Sequence, residues 1–275
     1  LERPMRRLSG FDCEGHWCAA TLDAGERNTG LLIVSGGNEI RSGAHAGQAR
    51  LSDAIAKAGY PVFRYDRRGI GDSEGENGGF EGGAADLAAA LLAFRTQQPH
   101  LKRVVAFGNC DAASLLALHH HGREIDLLVL ANPWVIENDS SDGASVPPAT
   151  AIRVRYMARL RDPRSLIDLF AGRINLAKLW RGLRRAVQPA NQTALAGRIA
   201  DSLCASDVPV KILLASKDMT ACAFAEAWFG HAFADVRYRS NVVLRRIDSA
   251  SHSFAGIDEA GWLGDQLLEV LADPA

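Results

Sequence analysis

The stretch 104–118, VVAFGNCDAASLLAL, carries an apolar run through Gly108 into Cys110 and straight on into a segment rich in small residues. This is the pattern of a nucleophile elbow, a strained strand-to-helix corner that exposes its nucleophile above a sheet and needs small neighbours so that the backbone can pass. The nucleophile here is cysteine. The common pattern has glycine two residues before and two after it; this chain has Gly108 before and Ala112 after, and alanine is small enough to serve. The competing reading of Cys110 is an apolar core cysteine, since free cysteines are among the most buried residues. The order of the partner residues favours the elbow.

In an elbow fold the acid and the histidine follow the nucleophile in that order along the chain. The β-branched and leucine-rich run VPVKILLASKD (208–218) ends in Asp218, where such a sheet presents its acid. The next strand-like run is NVVLRRID (241–248), and SASHSF after it places His252 on a loop at the same edge. Asp248 and Asp258 are alternative acids, read as a strand-end and a helix-start residue, positions that aspartate favours for local hydrogen bonding. A lone histidine near a strand end is unremarkable, but three groups in the right order predict a Cys110–His252–Asp218 triad.

The residue types suit acyl transfer. A thiol is mostly protonated at neutral pH; a histidine within hydrogen-bond reach draws off its proton, and a carboxylate holds the ring in the useful tautomer. The helix N-terminus after Cys110 favours a thiolate as well. Attack on a carbonyl makes an oxyanion, held by the N–H of the residue after the nucleophile, Asp111, and by a second N–H from an early loop. That loop is SGGNEIRSG (35–43), after the strand GLLIV (30–34), with Gly37 or Asn38 as donor. The Asp111 carboxylate suits a helix N-terminus, yet it opposes the thiolate if it points inward.

The stretches GGNEIRSGAH (36–45), FRYDRRGIGDSEGE (63–76), GNCDAAS (108–114), ANPWV (131–135) and YMARLRDP (156–163) make the chain resemble the exosortase A system-associated hydrolase 1 family of α/β-hydrolases. The resemblance covers nearly the whole chain. It implies a bacterial source, a gene neighbourhood devoted to exopolysaccharide synthesis and surface-protein sorting, and hydrolase chemistry. It supplies no substrate, because a fold alone does not fix function.

The remaining sequence agrees with an α/β fold. The chain has 275 residues, 47% of them hydrophobic, enough for a full core with one insertion. Strand-like LLIVSGG, PVFRYD, VVAFGN and LLVLANPW alternate with helix-like ARLSDAIAKAGY, DLAAALLAFRTQQ and the elbow helix. Such alternation predicts a mostly parallel central sheet with helices on both faces, in keeping with the α/β-hydrolase fold that the elbow and the resemblance imply, and its break between Trp134 and about Ser206 predicts an inserted helical lid. The expected core is 1–135 and 206–275, and the expected lid is 136–205. From 151 to 200 eleven Lys and Arg face two Asp, a local charge of +9 in a chain of net −1. Basic residues on the cover of an active site suggest an anionic partner: the phosphopantetheine arm of coenzyme A or a carrier protein, an acidic saccharide or a lipid headgroup. The plainer account is that they solvate amphipathic helices. Interleaved residues such as Tyr156, Met157, Phe170 and Trp180 are candidates to line an acyl pocket or to pack the lid down.

Arg41 and His45, beside the oxyanion loop, are possible substrate contacts. The glycine-rich DRRGIGDSEGENGG lacks the Gly-Lys-Ser/Thr ending of a phosphate loop and is read as a turn fixed by Asp66, Arg67 and Asp72. His119, His120 and His121 end the elbow helix and are not read as metal ligands, because adjacent helical residues point apart; no metal and no cofactor is expected. Five cysteines without paired spacing fit reduced thiols. No apolar run reaches membrane-spanning length, so a cytoplasmic protein with no nucleic-acid partner is expected, with Met5 as a candidate native start. The leading expectation is an ester or thioester hydrolase with an acyl-cysteine intermediate. The alternatives are an acyltransferase that passes the acyl group to an acceptor other than water, and a catalytically silent protein that binds through the basic lid.

Overall fold

Strands buried on both faces read as continuous apolar runs, and the runs singled out above form the centre of one sheet. The computed structural model describes residues 6–136 and 193–273. Its inner strands are β3 (Thr29–Val34), β4 (Val62–Tyr65), β5 (Arg103–Asn109), β6 (Leu127–Ala131) and β7 (Val210–Ala215); β3, β4, β6 and β7 are buried along their whole length. At one edge β8 (Val242–Ile247) is half exposed and carries Arg245 and Arg246, charges that discourage further strand pairing. The other edge holds a hairpin that the sequence reading did not anticipate, β1 (Arg6–Cys13) and β2 (His16–Asp23). Its two-residue turn has both Glu14 and Gly15 at positive φ, as a tight hairpin requires.

The strand order is β1-β2-β4-β3-β5-β6-β7-β8. The pairs β1/β2 and β2/β4 are antiparallel, and the rest are parallel. The chain runs from β3 outward to β4 and then returns past β3 to β5. This reversal opens a crevice beyond the carboxyl ends of β3 and β5, the position where open α/β sheets bind ligands. Helices α1 (Gly47–Lys57) and α7 (Ile257–Ala272) cover one face, with Ile55, Leu263 and Leu267 packed on Ile33, Val105 and Val129. The other face is covered by α2 (Ala84–Gln97), α3 (Asp111–His119), α4 (Ala194–Cys204), α5 (Met219–Phe229) and the short α6 (Ala234–Arg237).

Of the segment expected as a lid, Ile136 and residues 193–205 are among those described. Helix α4 is capped by Thr193, whose Oγ1 accepts the Ala196 N–H at 3.1 Å, and buries Leu195, Ile199 and Leu203 in the same core as Leu116 of α3. Of the eleven basic residues in 151–200, Arg198 is described; it pairs with Glu81 at 3.3 Å on the surface. The others, and the apolar residues interleaved with them, lie outside the described residues. No described helix is long and apolar enough to cross a membrane.

Candidate active site

The elbow forms at the end of β5 for steric reasons. A Cβ at Gly108 would stand 2.7 Å from the Ala112 carbonyl carbon and oxygen, so α3 can turn back over the strand only if residue 108 has no side chain. Ala112 is fully buried beneath the turn. Cys110 adopts φ 62°, ψ −127°, a backbone conformation that costs a non-glycine residue about 1–3 kcal/mol and persists only where the surroundings enforce it. Here its N–H donates to the Ala131 carbonyl at 2.9 Å, and its own carbonyl accepts from Ala113 and Trp134 at 3.1 and 3.2 Å. Cys110 is half-buried, unlike the core cysteines Cys13 and Cys18.

The loop after β8 brings His252 to this corner. Its Nδ1 lies 3.0 Å from Asp218 Oδ2, and its ring is near enough to the Cys110 side chain for the thiol to raise its hold on a proton. Asp218 is also the N-cap of α5, with the same Oδ2 accepting the Ala221 N–H at 3.0 Å. A capping carboxylate at a helix start is thus shared with the imidazole. Of the two alternative acids, Asp248 follows β8 at the surface and pairs with Lys217 at 2.8 Å, which holds its carboxyl below the usual range. Asp258 lies in the first turn of α7.

Two residues that the sequence reading overlooked hold the histidine loop. The Nδ2 atoms of Asn109 and Asn132 both donate to the His252 carbonyl at 3.1 Å, while Asn132 Oδ1 accepts the Ala215 N–H at 2.9 Å. Asn132 is fully buried with φ 42°, so it links β6, β7 and the loop at one point. Both stand in motifs quoted above, GNCDAAS and ANPWV, and an asparagine ending an apolar strand was the available signal.

Hydrogen bonding to Asp218, then to Cys110, raises the His252 pKa to about 10. The folded protein therefore holds this proton more tightly than the unfolded chain, whose histidines titrate near about 6.5. The resulting stabilisation is complete below about pH 6.5 and is lost as pH rises through about 10. Urea unfolding of wild type and His252→Gln across that range is expected to show the wild-type advantage shrinking with rising pH. An advantage independent of pH would contradict it.

The loop after β3 supplies the other wall. The Gly37 N–H, at φ 56°, donates to Asp111 Oδ1 at 2.5 Å, and Arg67 Nη2 donates to the Gly37 carbonyl at 2.5 Å. Arg67 Nη2 also lies 3.5 Å from Asp111 Oδ2, so the carboxylate is drawn toward a buried cation. Asn38 accepts from Asn77 through its side chain at 3.2 Å, and among the described residues the Asn38 and Asp111 N–H groups have no protein acceptor. Arg41 is held by Asp66 and by Asp72 at 2.9 Å, which fixes the glycine-rich turn to the oxyanion loop. His45 is exposed, with φ 50°. A cavity of about 450 Å³ opens between α1 and α7; Leu51, Phe107, Phe254 and Leu268 line it, and Asn109 and Ser253 bring it next to the chain positions of Cys110 and His252. His119, His120 and His121 bond separately, to the Glu81 carbonyl, to the carbonyls of Leu116 and Ala117, and to Ser202. Among the described residues no group of His, Cys, Asp or Glu is arranged to hold a metal.

An eight-stranded, mostly parallel sheet with a strained elbow at its switch point defines an enzyme of the α/β-hydrolase class. Residues 27–227 match the family described as serine aminopeptidase, S33, and the chain belongs to that family. No curated protein is significantly similar to the chain. Among solved structures, an esterase of Pyrococcus furiosus superposes with a TM-score of 0.62 at 14% identity, covering 96% of this chain and 91% of the other. A thioesterase domain from the curacin biosynthetic pathway gives 0.58 at 12% identity, covering 96% and 99%. A hydrolase of Pseudomonas aeruginosa gives 0.56 at 21% identity, covering 97% and 99%. These likenesses are of fold.

Proposed function

We propose that the protein is an ester or thioester hydrolase working through Cys110, His252 and Asp218 by way of an acyl-cysteine. The observation that carries this is the 3.0 Å bond from Asp218 to the His252 ring at the corner where Cys110 stands, strained, at the head of α3. The proton of the Cys110–His252 pair rests on the ring, whose pKa is raised to about 10, and the sulfur attacks the carbonyl carbon. The tetrahedral oxyanion lies against the N–H of Asp111 and one from the 36–38 turn, and the leaving group departs with a proton from His252. Water, activated by the same ring, then cleaves the thioester. The apolar cavity between α1 and α7 suits a hydrocarbon acyl chain, and coenzyme A or a carrier protein is the proposed bearer of a thioester substrate. The stretches shared with exosortase-associated hydrolases support a role in exopolysaccharide or surface-protein metabolism.

Brief exposure to a panel of activated acyl esters and thioesters, followed by intact-protein mass spectrometry, is expected to add one acyl group to Cys110. The adduct should be missing in Cys110→Ala and slow to form in His252→Ala. An adduct on another residue, or none across the panel, refutes the acyl-cysteine route.

A further inference from the structure

We propose that Asp111 is a specificity-determining residue: its carboxylate is an internal ligand of the oxyanion site, occupying the Gly37 amide at rest and yielding it to the reacting oxygen. This rests on the acyl-cysteine reading above. Three features of the turn support it.

First, of the two candidate second donors, the Gly37 N–H is taken, donating to Asp111 Oδ1 at 2.5 Å, while the Asn38 N–H has no protein acceptor among the described residues. The residue that offers its own N–H to the oxyanion thus closes the Gly37 donor with its side chain. Second, the carboxylate has a built seat. A Cβ at Gly36 would lie 2.5 Å from the Asn109 carbonyl oxygen and 2.8 Å from Asp111 Oδ1, so both the elbow backbone and the carboxylate oxygen occupy space that a side chain there would need. Third, the carboxylate has an alternative partner. Arg67 is almost fully buried, its Nη2 reaches Asp111 Oδ2 only at 3.5 Å, and its Nη1 is buried without a partner among the described residues. A buried donor left unsatisfied is costly, so a carboxylate that leaves Gly37 for the guanidinium recovers what it gives up.

The charges fix the consequence. A charge-assisted hydrogen bond is about twice as strong as a neutral one, so a ground-state carbonyl oxygen does not displace the carboxylate from Gly37, whereas a developing oxyanion competes with it on equal terms. The Gly37 bond is then made in the transition state and withheld from the ground state, but only by displacing the carboxylate, so Asp111 lowers the net stabilisation that Gly37 gives the oxyanion. Substrates with little binding surface outside the reacting carbonyl cannot drive the exchange and turn over poorly.

An alkyl trifluoromethyl ketone isolates the step. The Cys110 sulfur adds to the ketone carbon, one C–S bond forms, and the carbonyl π pair becomes an oxyanion in the site. Iodoacetamide alkylates the same sulfur at a saturated carbon, expels iodide and needs no oxyanion donor. Asp111→Ala is expected to bind the ketone about 10-fold tighter than wild type relative to its alkylation rate, which reports any change in thiol reactivity on losing the charge, and Asp111→Asn, a neutral acceptor of the same shape, by a smaller factor; an equal rise in affinity and alkylation overturns the proposal. Equal or weaker ketone binding in both variants overturns the proposal and makes the carboxylate a pin for the turn. A parallel fall in alkylation and ketone affinity also overturns it, as loss of the corner itself. No ketone adduct on Cys110 in any protein, wild type included, refutes the acyl-cysteine reading and this proposal with it.

Discussion

Cys110→Ala and His252→Ala are each expected to lower ester turnover by about 10⁴-fold or more, and the double variant is expected to be no slower than the worse single one. On the proposed mechanism the two side chains act on one proton: without His252 the thiol stays protonated, and without Cys110 the imidazole has nothing to activate. Either loss therefore removes the same step, and the effects do not add. Both exchanges leave the corner in place. Alanine keeps the Cβ and the backbone conformation of Cys110, whose N–H and carbonyl are bonded to Ala131, Ala113 and Trp134 independently of the sulfur. The His252 loop is held through its backbone carbonyl by Asn109 and Asn132. Steady-state kinetics on an activated ester, with urea unfolding as the control for folding, decide the matter; additive losses would mean that the two residues do not share a step.

Asp218 allows a sharper separation, because one oxygen does two jobs. Its Oδ2 faces both the His252 ring and the Ala221 N–H at the start of α5. Asparagine caps helices as well as aspartate, whereas alanine forfeits about 1 kcal/mol of capping. Asp218→Asn is therefore expected to keep the helix cap and to lose only the stability that comes with the raised His252 pKa, a loss that fades as pH rises toward about 10, while losing about 10⁴-fold in turnover, since a neutral amide neither holds the productive tautomer nor stabilises an imidazolium. Asp218→Ala should lose both turnover and about 1 kcal/mol of stability. Asp218→Asn should also bring the His252 pKa down, because the bond to Asp218 is the largest cause of its rise; titration of the ring by NMR measures this. Retention of activity in Asp218→Asn would pass the role of acid to another carboxylate.

Much of this was legible along the chain. Apolar runs of five or six residues fill the central strands because a parallel sheet covered on both faces has no polar side to display. The elbow was legible because its steric demand is local: Gly108 must lack a Cβ where Ala112 crosses it four residues later. The order Cys110, Asp218, His252 was legible because each follows its own strand. The hairpin β1–β2 was overlooked although its turn, Glu14-Gly15, carries the positive-φ pair that such turns need.

The sequence by itself therefore determined the central strands, the strained corner and the chain order of Cys110, Asp218 and His252, since each depends on side chains within a few residues of one another or on chain order. Only the tertiary structure decided where the Asp111 carboxylate points, which hydrogen bonds hold His252 and which oxygen Asp218 shares between ring and helix. Gly37 and Asp111 are 74 residues apart, and Asn109 and His252 are 143 apart. They meet because β3 and β5 are neighbours in the sheet and the later loops close over their ends. A hydrogen bond requires its atoms within about 3 Å and in line, and for partners so distant along the chain that condition is set by strand order and register, which no local pattern of residues encodes.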